Sequence, residues 1–259
     1  MAVLLRLEKV EEVVVKVKGF VSTGSGEDRL IGDVWKSEYM RIAKLKDTAS
    51  TETWTVTRAK CDFNLENLRV LLLLKAMSGR QYFADVPCRI NTEIYSILFK
   101  VSKEQTVLDF EKALEELVNL EITPRGEDSF TGWITGYEFL EPDKVRFFWN
   151  PKVKELAEQD SAFGSYRVYH LKGITTVLGL KLFRYLNTVA VYKEHCTYTS
   201  TLVDILGIEN FTGKSKELKH LLLPAVEEIN KSTTLYISSI TNTGKGLAFK
   251  MQRKSYVQK

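Results

Sequence analysis

The chain has 259 residues, 44% of them hydrophobic and 27% charged, with three cysteines and a formal net charge of +4. This composition is that of an ordinary globular protein and excludes collagen-like, disulfide-scaffold and wholly disordered chains. No apolar run approaches the ~18 residues of a membrane span, Met1–Arg6 has no basic segment ahead of an apolar block, and Cys61, Cys88 and Cys196 are too scattered for a disulfide framework or a metal knuckle. The expectation is a cytoplasmic protein with reduced thiols, no metal, no cofactor and no membrane partner.

In chain order, Val13–Lys18 has strand-forming composition, Ser22–Asp28 is a flexible turn, Trp35–Leu45 fits a short helix, and Thr51–Thr57 alternates like a strand. Residues 1–60 are therefore expected to be an extension containing β-structure. Asn64 is placed to cap a helix from Leu65 to Met77 that Ser78-Gly79 closes. A short helix is expected from Asn91 to Phe99. Lys103–Leu120 then carries Val107, Phe110, Ala113, Leu114, Leu117 and Leu120 on one stripe, with Glu104, Glu111, Glu115 and Glu116 off it. Two β-runs follow, Phe130–Phe139 and Val145–Trp149, joined by the turn Glu141-Pro142-Asp143-Lys144. Three helices and a β-hairpin are the order of a winged helix-turn-helix.

The order recurs. Helices are expected over Thr176–Val191, Ser200–Leu206 (stopped by Gly207) and Lys214–Asn230. Strands Leu235–Ile240 and Leu247–Gln252 then flank the glycine-containing tip Asn242–Gly246. The periodic pattern breaks around Ala157–Ser165. This gives an α+β chain of two tandem winged helix-turn-helix domains, 61–160 and 161–259, behind the N-terminal extension.

Charge separates the two. Residues 1–171 hold 24 Lys/Arg against 27 Asp/Glu, whereas residues 172–259 hold 13 against 6. A basic third beside an acidic remainder is the pattern of a domain that meets a polyanion, most often nucleic acid, although uneven solubility charge gives the same numbers. In a helix-turn-helix the second helix of the pair enters the major groove. Here that helix is Lys214–Asn230. Leu218, Leu222, Ala225, Val226 and Ile229 form its apolar face, and Lys214, Lys216, Lys219 and His220 crowd its N-terminal half. The helix start adds a positive end suited to phosphate. The wing supplies Lys245 at its tip and Lys250, Arg253 and Lys254 on its return strand. These eight residues are the expected DNA contacts, set against the alternative of a merely solvated face. Pro224 either kinks the helix or begins a second segment.

Leu222-Leu223-Pro224-Ala225-Val226-Glu227-Glu228-Ile229-Asn230 resembles the L-x-P-A-x-x-E-I-N signature in the recognition helix of iteron-binding plasmid replication initiators, the Rep family with two winged-helix domains. Leu180–Leu186 looks like the family's s-x-R-L-Y-E-L-L helix, and Leu202–Ile208 resembles its positioning helix with the closing L-G-I turn. Val145–Pro151 is similar to the strand leading out of the first winged helix. The resemblance spans residues 65–254. It departs from the pattern in lacking the run of arginines many relatives carry in the recognition helix. It implies a non-enzymatic protein of the bacterial cytoplasm that binds double-stranded origin repeats (iterons) and recruits host replication proteins such as the replicative helicase. It also implies a homodimer that represses its own gene, with the first winged helix serving dimerisation and auxiliary DNA contact and the second as the main DNA reader. A winged-helix transcriptional repressor without initiator activity is the alternative reading.

Other motifs carry less. Gly207 and Gly213-Lys214-Ser215 are one residue too far apart for a P-loop and follow a helix rather than a strand. His170, His195 and His220 have no paired spacing for a nickase metal beside Tyr169, Tyr185 or Tyr198. His195-Cys196 are neighbours expected on opposite faces of a strand. Trp133, Phe147, Phe148 and Trp149 sit at strand positions and are expected to fill the core rather than stack on unpaired bases.

Overall fold

The computed structural model describes residues 49–78, 87–124, 128–141, 143–158 and 163–254, which belong to one compact unit. The expected strand Val13–Lys18, turn Ser22–Asp28 and helix Trp35–Leu45 lie outside these residues. The first described strand is β1 (Ala49–Thr53), followed at once by a helical turn, α1 (Trp54–Arg58). The alternating run Thr51–Thr57 is thus strand only at its start.

Helix α2 (Leu65–Ser78) begins where the capping residue predicts. The Asn67 amide donates to Asn64 Oδ1 at 2.8 Å, which satisfies one of the orphan amides of the first turn. Val70–Leu74 are fully buried, so this helix is core on all sides. It is followed by β2 (Cys88–Asn91), α3 (Glu93–Phe99) and α4 (Lys103–Asn119). Ser102 caps α4, with its Oγ accepting from the Gln105 amide, and Phe110, Ala113, Leu114 and Leu117 are buried as the stripe requires. Glu116 is not surface charge. Its Oε2 accepts from Asn64 and Asn67 at 2.6 and 2.8 Å and ties α4 to the start of α2.

The β-run Phe130–Phe139 is two strands. Short β3 (Glu121–Ile122) pairs with β4 (Phe130–Thr131), the chain turns at Gly132 with φ +84°, and β5 (Ile134–Glu141) pairs with β6 (Lys144–Trp149). A Cβ on Gly132 would lie 2.6 Å from the Val118 carbonyl oxygen, so both conformation and space demand glycine there. Trp133, Phe147 and Trp149 are buried, whereas Phe148 faces outward, 42% exposed.

Helix α5 (Pro151–Glu158) and strand β7 (Phe163–Arg167) occupy the expected break, and β7 pairs antiparallel with β1. After a 3-10 turn (Val168–Gly173) come α6 (Val177–Val189), β8 (Glu194–Tyr198), α7 (Thr199–Leu206), α8 (Ser215–Ser232), β9 (Leu235–Asn242) and β10 (Gly246–Arg253). Helix, strand, helix, helix, hairpin is therefore the order twice over, and both three-stranded sheets put the return strand of the hairpin in the middle: β2-β6-β5 and β8-β10-β9. The architecture is mixed α+β with one continuous core. Lys181 Nζ donates to the Cys61 carbonyl at 3.3 Å, and Arg69 donates to the Ile174 carbonyl at 3.3 Å while stacking 4.5 Å from the Phe99 ring, so both halves share polar contacts as well.

Candidate nucleic-acid interface

Helix α7 stops because Gly207 takes a left-handed conformation (φ 64°), and the Ile208 amide returns to the Val203 carbonyl at 3.0 Å. The chain then crosses Ile208–Gly213 and enters α8. Leu218, Leu222, Ala225, Val226 and Ile229 are all buried, which fixes the rotation of α8 about its axis. Lys214, Lys216 and His220 are consequently exposed and Lys219 is half-buried. Among the described residues, none of these four side chains is committed to a hydrogen bond or an ion pair. Pro224 lies inside α8, not at the start of a second helix, and on its exposed side, where water can serve the carbonyl that the missing amide leaves.

The start of α8 differs from a free positive end. Glu217 reaches back to accept from the Lys214 amide at 2.8 Å. The carboxylate partly neutralises the helix terminus, so anion binding there falls to the side chains. The same contact sets Gly213-Lys214-Ser215 apart from a phosphate-cradling loop.

At the wing, Gly244 turns with φ +81° and Lys245 is exposed at the tip. The Thr199 amide donates to the Lys245 carbonyl at 3.1 Å, which holds the tip against the first turn of α7. Gly246 lies opposite Tyr198, and a Cβ on it would stand 1.9 Å from the Thr197 carbonyl oxygen. Lys245, Gly213 and the side of α7 line one cleft of about 730 Å³ together with Lys60, Asp62 and Lys181. The wing tip and the start of α8 are therefore at the same end of the domain.

The remaining expected contacts are elsewhere. Lys250 is exposed on β10 opposite Glu194. Arg253 donates to Asn187 Oδ1 at 3.0 Å, and burial holds its guanidinium below the ordinary arginine value. Lys254 donates to the carbonyls of Asn230 and Thr233, at 3.4 Å for the latter, and its ammonium lies 5.4 Å from the Tyr236 ring centre. It closes the C-terminus of α8, about 27 Å from Lys214 along an 18-residue helix. The structure thus sets Lys214, Lys216, Lys219 and His220 along the first turns of α8, with Lys245 at the same end of the domain, and separates Arg253 and Lys254 from them.

The residues behind the sequence signature are mainly structural. Glu228 Oε2 accepts from the Thr176 hydroxyl at 2.7 Å, and Oε1 accepts from the Thr175 hydroxyl and amide, all at the start of α6. Asn230 bonds both ways with the backbone of Ile237, donating at 3.0 Å and accepting at 2.7 Å, which fastens α8 to β9. Ile229 is core. Of the histidines, His170 is buried, and its pKa falls to about 4 because burial, then Arg167, Arg253, Lys172 and Lys254, disfavour the cation. His195 contacts the Tyr185 hydroxyl at 2.8 Å, far from the exposed His220 in sequence and setting. Burial pushes the Cys61 thiol up to about 11, and its sulfur accepts from the Trp133 indole at 3.4 Å. Among the described residues no three His, Cys, Asp or Glu side chains are grouped to hold a metal, and no helix is long and apolar enough to cross a membrane.

The sequence matches no family model and no curated protein. Solved structures do match. The Pi initiator protein, solved in complex with iteron DNA, superposes with a TM-score of 0.63 at 14% identity, over 81% of this chain and 99% of that one. The chain shares the fold of that protein. Domains 2 and 3 of RctB match with a TM-score of 0.45 at 11% identity, over 79% of this chain and 86% of that one. Nearly the whole of the Pi initiator chain is thus matched, and the match is one of fold.

Proposed function

We propose that this chain is a replication initiator that binds repeated origin sites in double-stranded DNA and reads them mainly with α8. The observation that carries the reading is the uncommitted basic face of α8, lying beside the Lys245 wing tip, on a fold shared with an initiator solved on iteron DNA. Residues 61–160 and 161–259 are two winged-helix domains, each with the helix-strand-helix-helix-hairpin order. The second supplies Lys214, Lys216, Lys219 and His220 to the major groove and Lys245 and Lys250 to phosphates, with Arg253 and Lys254 at the rim. The first, with its acidic exterior, serves protein contacts: a homodimer, and host replication proteins such as the helicase. No step in this role needs a catalytic group.

The test is replication itself. The gene and its flanking DNA are placed on a circle that otherwise cannot replicate and introduced into a bacterial host. Stable maintenance that depends on the protein is the expected result. Sequence-specific binding to the flanking DNA with no maintenance would leave a repressor and overturn the initiator.

A further inference from the structure

Two leucines of α8 stand out from its core-facing set. Leu221 is 44% exposed and Leu223 38% exposed, and neither belongs to the hydrophobic core nor packs against it. At 100° per residue they lie on different flanks. Leu223 is four residues after Lys219, three after His220 and seven after Lys216, so it shares their outward face. Leu221 is four residues after Glu217 and seven before Glu228, on the flank that those carboxylates bind to the Lys214 amide and to the start of α6.

We infer that Leu223 is a specificity-determining residue that reads the C5-methyl group of a thymine in the major groove. The inference rests on the proposed reading of α8 as the groove helix. Its physical basis is the company Leu223 keeps. Lys216, Lys219 and His220 supply donors and positive charge that draw that face into the groove, and a leucine among them can neither donate nor accept. The major-groove edge offers such a side chain one apolar partner, the thymine methyl. Helix α8 contains no arginine, the residue that most often selects guanine, so apolar contact takes a larger share of its discrimination. Leu223 also follows the basic cluster by one turn, deep enough along the helix to meet a base edge rather than a phosphate.

The test begins with duplexes enriched from a random-sequence pool by the full-length protein. Each thymine of the enriched site is then replaced singly by deoxyuridine, which removes only the methyl group, and binding is measured by fluorescence anisotropy. For the wild type, at least one replacement weakens binding about three- to fourfold, the value of one buried methyl. Leu223→Ala abolishes that penalty while keeping the far-UV circular dichroism of the wild type, and Leu221→Ala keeps the penalty. Insensitivity of the wild type to every replacement, or a full penalty in Leu223→Ala, overturns the inference while leaving DNA binding intact. Failure to enrich any duplex overturns it together with the function on which it rests. A wild-type dimer that Leu223→Ala dissociates would overturn it as well, because the leucine would then be covered by protein.

Discussion

Helices α4 and α8 hold the same place in the two halves of the molecule, each following a strand and a short helix and leading towards a hairpin, and they are nearly equal in length. Both bury one apolar stripe. Their outer faces differ. Helix α4 exposes Glu104, Glu111 and Glu115, with Lys103 and Lys112, around Leu108, which is 58% exposed. Helix α8 exposes Lys216, His220 and Leu223 in its first three turns, and its exposed carboxylates are Glu217, turned back to the Lys214 amide, and Glu227, one turn beyond Leu223. Topology and packing fix which side of a helix enters the core, and they leave the opposite side to be set by whatever the helix meets. One helix position in this fold can therefore carry outer faces of different charge in the two halves.

The comparison breaks most sharply at α8. Replacing Lys216, Lys219 and His220 together by alanine is expected to weaken binding to the enriched duplex about 100-fold or more while leaving the circular dichroism spectrum unchanged. Unchanged affinity in anisotropy would remove α8 as the reader. The next effect concerns a buried histidine in the second half, whose cation is disfavoured first by burial and then by the Arg and Lys side chains around it. His170 has a folded pKa of about 4 against an ordinary 6.5. The unfolded chain therefore binds the extra proton first, so stability is full above pH 6.5 and is lost as pH falls towards 4. Urea unfolding is expected to show a loss of about 2 kcal/mol between pH 7 and pH 5, and His170→Gln to flatten that slope. A pH-independent unfolding free energy in the wild type would refute this.

At the wing, Lys245→Ala should reduce the slope of log affinity against log salt by about 0.9, one phosphate's share, without changing the preferred sequence. A change in preferred sequence would instead make Lys245 a base reader. The smallest effect is expected in the first half. Glu104, Glu111 and Glu115 changed together to glutamine should leave affinity for the duplex within about twofold at physiological salt, where exposed charges beyond a Debye length are screened. A large gain would mean that α4 lies against the DNA.

Elements whose signal is local were legible in the sequence. Asn64 caps α2, the stripe of α4 faces inward and Gly207 ends α7, because caps, helical periodicity and left-handed glycines act within a few residues. Strand β2 was not, and β8 was legible only at His195-Cys196, since Cys88–Asn91 and Glu194–Tyr198 are short and owe their pairing to β6 and β10, some 50 residues away. Helix α5 was not legible either, because its eight residues, Pro151–Glu158, are too few to repeat a helical stripe. The candidate site was legible as to which face of α8 turns outward. The roles of Glu228 and Lys254 depend on partners 53 and 24 residues distant, and only coordinates reveal them.

Those last contacts divide α8 along its length. Its C-terminal half is bolted down by Glu228, Asn230 and the Lys254 cap, while its N-terminal half projects like a cantilever with only its underside held. Substitutions on the projecting half should therefore cost the scaffold little, whatever they do to the surface it presents. Substitutions of Glu228, Asn230 or Lys254 would instead release the helix from α6, from β9 and from the cap on its last turn.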